Sequence, residues 1–228
     1  MKKAFSMIEL VFAIVVIGIL AVTIIPNTRT NPVQEAAIQL LSHIRYTQHL
    51  AIVNDKYMEG NLWFRKRWQI AFVSVSSPTT VSSNHKIAYT IYSDSINAST
   101  GDADFDEVAK NPENTSQIMT GGYAGSNNKL NITEDEFEGM KKLNLGMSYG
   151  ITSLTFNDEC KVSGSHRLAF DYLGRPIIGK LGGSGTSGNT IPYESNNLLQ
   201  DNCDITLSNG SQTAVVRIRA ETGYASIL

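Results

Sequence analysis

The sequence predicts an α+β protein, with a long N-terminal helix in two halves, one membrane-spanning and one amphipathic, packed on an antiparallel β-sheet domain. Three observations carry this expectation. Residues 5–25 form an apolar run of 21 residues, broken by a single acid, Glu9. Residues 33–54 repeat apolar side chains at helical spacing. The C-terminal half alternates short β-type runs with turn dipeptides such as Asn209-Gly210.

Lys2 and Lys3 precede the apolar run, and Pro26 closes it. A run of this length matches the roughly 20 residues that a helix needs to cross a bilayer. The flanking lysines, with only Arg29 soon after, predict a cytoplasmic N-terminus and an exported remainder. Glu9 stands out, because a carboxylate at the bilayer centre costs roughly 2.5–3.5 kcal/mol on insertion scales. Cleavage after Ala4 would give Phe5 a free α-amine, which Glu9 of a neighbouring copy could neutralise. The segment therefore reads as an assembly device as well as an anchor.

This combination of a short basic leader ending in a small residue, then Phe5, Glu9 and Pro26, resembles the class III leader of type IV pilins and type II secretion pseudopilins. Ala4 stands where that family usually has Gly. The resemblance implies a prepilin peptidase cutting between Ala4 and Phe5, N-methylation of Phe5, and a register-setting role for Glu9, with Pro26 near the far end of the assembly helix. It implies other pilin-like subunits and an inner-membrane assembly platform as partners. It also implies a single-pass inner-membrane subunit with a periplasmic C-terminal domain, entering an extracytoplasmic filament. The competing readings are a secretory signal peptide cut near Ala21 and a plain signal anchor. The first has an apolar stretch of only about 7–15 residues and leaves Glu9 unexplained.

The expected organisation is a leader at 1–4, a transmembrane or filament-core helix at 5–25, its amphipathic continuation at 26–54, and a β-rich domain at 55–228. Pro26 and Pro32 interrupt the helix. Val33, Ala37, Leu40, Leu41, Ile44, Ala51 and Ile52 then define an apolar face. Strands are expected at 68–75, 86–92, 150–156, 166–172, 203–207, 214–219 and 224–228, with turns at Gly174-Arg175-Pro176 and Thr222-Gly223. Residues 94–130 and 179–190 read as polar, Gly-rich loops. A short helix is expected at 133–142, with Thr133 capping and Glu136 three residues on. The stretches RLAFDYLGRP and AVVRIRAETGYASIL are similar to the C-terminal half of the minor pseudopilin H class, which suggests a minor subunit rather than the main filament protein.

The formal charge is −2, becoming −4 without Lys2 and Lys3, which is no overall nucleic-acid signature. The two cysteines, Cys160 and Cys203, predict a disulfide in an exported chain, worth roughly 2–4 kcal/mol. Asp102, Asp104, Asp106 and Glu113 offer oxygen ligands in the manner of a Ca²⁺ loop. Glu107 occupies the position where the sharp turn of such a loop needs Gly, so a solvated acidic loop is the favoured reading and calcium the alternative cofactor.

Arg65, Lys66 and Arg67 lie between Trp63 and Trp68, and Arg217 and Arg219 lie near the C-terminus. Aromatics interleaved with cations suit single-stranded nucleic acid; inward-packed tryptophans at the start of a strand are the favoured alternative. The four histidines are scattered, and no hydrolase, metalloprotease or phosphate-loop motif occurs, so no enzyme is expected. Asp171 and Arg175 read as a surface turn salt bridge, worth about 0–1 kcal/mol. The sequence thus points to a minor pseudopilin of a type II secretion filament or its tip complex. The rival readings are a DNA-binding minor pilin of a competence pilus and an exported enzyme on a plain anchor.

Overall fold

The computed structural model describes residues 6–24, 31–57, 63–72, 87–94, 103–122, 127–160, 166–179, 181 and 198–228. The chain divides into two units, Met1–Asn31 and Pro32–Leu228.

The first unit holds helix α1, Met7–Ile24. Among the described residues no helix is long and apolar enough to cross a membrane. The expected membrane-spanning half, and with it the single-pass inner-membrane placement of a periplasmic domain, is overturned. The 18 residues of α1 extend about 27 Å at 1.5 Å per residue, against a hydrocarbon core of about 30 Å. Glu9 also sits in the first turn and shortens the apolar stretch further. The single long helix is corrected as well: α1 and the amphipathic helix α2, Pro32–Val53, are separate elements.

In the second unit α2 packs on two four-stranded antiparallel sheets. The strands are β1 (Trp68–Phe72), β2 (Tyr89–Ser93), β3 (Ser153–Phe156), β4 (Arg167–Phe170), β5 (Pro176–Ile178), β6 (Cys203–Ser208), β7 (Thr213–Ile218) and β8 (Ala225–Ile227). One sheet has the order β2-β1-β4-β5 and the other β3-β6-β7-β8. The expected antiparallel β-sheet domain is thus built of two sheets. Pro32 occupies the first helical position of α2, where a missing N–H removes no helical bond, and Glu35 in the first turn complements the helix dipole.

Val33, Ala36, Ala37, Leu40, Ile44 and Ala51 of α2 are buried in one core with Ile70, Ile91, Leu168, Ile205, Val216 and Ile218 from both sheets. Thr47 is buried among them and donates its hydroxyl to the His43 carbonyl at 2.8 Å, which satisfies the polar group inside the helix. Ile52, expected on this face, is 49 % exposed. It lies one residue past Ala51, beyond the arc that the sheets cover.

Strand β6 alternates buried and half-buried residues, as a sheet with one covered face requires. Strand β2 is buried at every residue. The reason lies in residues 103–122, which were expected to be part of a polar loop. They pair along the free edge of β2, through bridges Thr90–Thr120 and Tyr92–Val108. Val108, Ile118 and Leu130 then join Tyr92 in a second apolar cluster on the far face of that sheet. Apolar residues spaced irregularly among polar ones carry no periodic signal, so this packing was invisible in the pattern. Gly121 closes the segment: a Cβ there would stand 2.3 Å from the Leu143 carbonyl carbon.

The helix expected at 133–142 is absent. Asn131, not Thr133, supplies the local cap, its Oδ1 accepting from the Thr133 N–H at 3.1 Å and hydroxyl at 2.8 Å, in a turn. The short helix of this region is α3, Leu145–Tyr149, capped by Asn144 and ended by Gly150 at φ 66°.

Candidate functional site

Helix α1 presents the first candidate surface. Every described side chain from Ser6 to Leu20 is exposed, Phe12 by 72 %. Its acid has a local partner that the sequence reading did not assign. The Glu9 carboxylate accepts from the Ser6 N–H at 3.2 Å and the Ser6 hydroxyl at 3.3 Å, and the Glu9 N–H reaches the Ser6 hydroxyl oxygen at 3.4 Å. Ser6 and Glu9 thus form a reciprocal capping box, and the Ser-x-x-Glu spacing in the sequence is its signal. Lys2, Lys3, Ala4, Phe5 and Pro26 lie outside the described residues.

Cys160 and Cys203 form a disulfide with a Cα–Cα distance of 5.2 Å. It ties the turn after β3 to the start of β6.

The basic residues fall in two separate places. Arg65 and Lys66 lie in a 3₁₀ turn before β1, and Arg65 and Arg67 are only 6 % and 3 % exposed. The Arg67 guanidinium lies 4.7 Å from the Trp63 ring centroid, and the Lys56 ammonium 5.0 Å from that of Trp68. Cations and indoles here stack on each other within the chain. Arg217, on β7, makes a two-pronged pair with Asp204 on β6, both contacts at 2.7 Å. Arg219 stands 5.9 Å from the exposed Tyr224 ring.

Among the acidic residues, Asp104 caps a 3₁₀ turn, and its N–H donates to the Glu107 carboxylate at 3.0 Å. Asp106 and Glu113 are exposed, and Asp102 lies outside the described residues. Among the described residues no three His, Cys, Asp or Glu side chains gather into a metal-holding group.

Asp171 differs from its sequence reading. It is fully buried rather than at the surface. Its Oδ1 accepts from the Leu173 and Arg175 N–H groups at 3.0 and 2.8 Å, and its Oδ2 from Arg175 Nε at 2.7 Å. It organises the turn between β4 and β5.

The remaining site is a cleft of about 770 Å³ between α2 and the turn at 111–117. Glu35, Ile38, Gln39, Ser42, His43 and Tyr46 line it from α2 at i, i+3, i+4 and i+7 spacing. Beneath it Tyr89 is fully buried, which raises its pKa and keeps the phenol protonated. We assign the Tyr89 O–H as donor to His43 Nδ1 at 2.6 Å, with Gln39 Nε2 donating to the Tyr89 oxygen at 3.1 Å. Gln39 also accepts from the Tyr149 hydroxyl at 2.7 Å. Burial lowers the His43 pKa to about 4, so the imidazole is neutral at pH 7. In the sequence His43 is one of four scattered histidines; its partner lies 46 positions away, beyond any local pattern.

Comparison of the chain with protein-family models, with curated proteins and with solved structures finds no match.

Proposed function

We propose that this chain is a pilin-like subunit, a minor pseudopilin of a type II secretion filament or its tip complex, that assembles through α1. The observation that carries the reading is α1 itself. It is apolar around its whole circumference, exposed from Ser6 to Leu20, and bears one carboxylate in its first turn. A helix of this kind is buried in the working state of a protein. The cover we propose is the equivalent helix of neighbouring subunits, packed side by side.

The leader residues support this reading. Lys2, Lys3 and Ala4 before Phe5, with Glu9 following, fit processing by a prepilin peptidase and methylation of the new amine. Glu9, held by Ser6 in the isolated chain, would exchange those modest bonds for a charged partner on the adjacent Phe5 amine. The minor-subunit part of the reading draws on the β4–β5 and β7–β8 turns, where the H-class resemblance lies. Secretion is mechanical work done through assembly in this reading, and no reaction is assigned to the chain.

Disulfide cross-linking in the native cells tests it. A Val15→Cys variant should yield, on oxidation, multimers whose other members carry the same kind of leader, and adding Glu9→Ala should reduce their yield several-fold. Monomers alone, or a yield indifferent to Glu9→Ala, would contradict the reading.

A further inference from the structure

The cleft beside α2 has a chemistry of its own, independent of the assembly helix. Its volume of about 770 Å³ falls within the roughly 300–1,000 Å³ typical of ligand sites. It is elongated: from Glu35 to Tyr46 the α2 wall runs about 16 Å, the span of about five extended residues. Met140, half-buried, lines it with a flexible thioether side chain, which accommodates apolar groups of varied shape, while Met119 behind it is buried in the core. Ile38, 54 % exposed, adds an apolar edge.

The charges on its walls are unequal. Glu35 on α2 and Glu113 on the opposite turn both line the cleft and are exposed. Among the described residues neither carboxylate makes a hydrogen bond or ion pair. Lys142 is the cation among the lining residues, and His43, buried and bonded to Tyr89, adds no positive charge at neutral pH. The Ser42 hydroxyl and the Gln117 amide stand beside them, suited to the peptide groups of a ligand.

We propose that this cleft binds an extended peptide segment of a partner protein in which an arginine or lysine sits between apolar side chains. The cation lies between the Glu35 and Glu113 carboxylates, and the apolar neighbours rest on Met140 and Ile38. Two carboxylates without internal partners, one on α2 and one on the opposite turn of a cleft of mixed polar and apolar lining, favour this occupant over a neutral or acidic one.

The test uses the full-length protein in detergent micelles and a fluorescent peptide, acetyl-Ala-Leu-Arg-Leu-Ser-Ala-amide. A second peptide replaces its arginine with citrulline, which keeps the shape and removes the charge. The arginine peptide should bind, more weakly as salt rises. Citrulline should weaken binding about tenfold, and so should the double variant Glu35→Gln, Glu113→Gln. In methyl-labelled protein the Met119 and Met140 signals should shift on binding. Absence of binding up to roughly 1 mM overturns the proposal. So does equal affinity for the citrulline peptide, or binding that leaves both methionine signals and the double variant unaffected.

Discussion

The Gln48 side chain donates to the Gly174 carbonyl at 2.8 Å and, from the same nitrogen, to the Thr222 carbonyl at 3.0 Å. One residue of α2 thereby holds the β4–β5 turn and the β7–β8 turn, one from each sheet. The turns also touch: Gly223, at φ 66°, approaches the Gly174 oxygen so closely that a Cβ would stand 2.3 Å from it. Replacing Gln48 by Ala strips a donor from two carbonyls, of which Gly174 is buried. We expect a loss of about 1–3 kcal/mol, measured by denaturant unfolding, with Gln48→Glu no better because a carboxylate cannot donate.

Asp171→Ala should cost more. It leaves the Leu173 and Arg175 N–H groups and the Arg175 guanidinium without their shared acceptor. Breaking a buried pair from one side costs roughly 3–5 kcal/mol. Thermal unfolding of the variant should show that drop, and a change below about 1 kcal/mol would return the pair to the surface class.

Reduction of the Cys160–Cys203 bond, or a double Cys→Ser change, should lower stability by about 2–4 kcal/mol, because the bond closes a loop spanning 43 positions. Melting with and without a reductant measures it, and the double variant should be insensitive to the reductant.

His43 gives stability a pH dependence whose sign is fixed. Burial holds the folded imidazole at a pKa of about 4, below the ordinary histidine value of about 6.5, so between these values the unfolded chain binds more protons. Stability therefore rises with pH through this window, is complete above about 6.5, and declines as pH falls to about 4, by about 3 kcal/mol in all. Unfolding curves across that range should show the slope, and a His43→Phe variant should show a slope smaller by about one proton.

Much of the second unit was legible because its signals are local. Asn209-Gly210 and Thr222-Gly223 mark the two hairpins of the second sheet, and β6 to β8 fall within a residue or two of expectation. The apolar period of α2 gave its extent, ending at Val53 where the reading ended near Asn54. What the sequence hid depends on distant partners. Residues 103–122 look like a loop until β2 offers them an edge. Asp171 looks like a surface acid until the turn folds over it. The cleft arises where α2 meets a turn some 70 positions later, with no motif to announce it. The N-terminal run differs in another way: its 21 apolar residues between Lys3 and Pro26 suggest a membrane span, whereas among the described residues no helix, α1 (Met7–Ile24) included, is long and apolar enough to cross one.

The most direct measurement is the N-terminal sequence and intact mass of the protein isolated from its native cells. The assembly account predicts a chain that begins at Phe5 and is one methyl group heavier than its sequence. A chain that begins at Met1, or one cut near Ala21 with α1 removed, would contradict it.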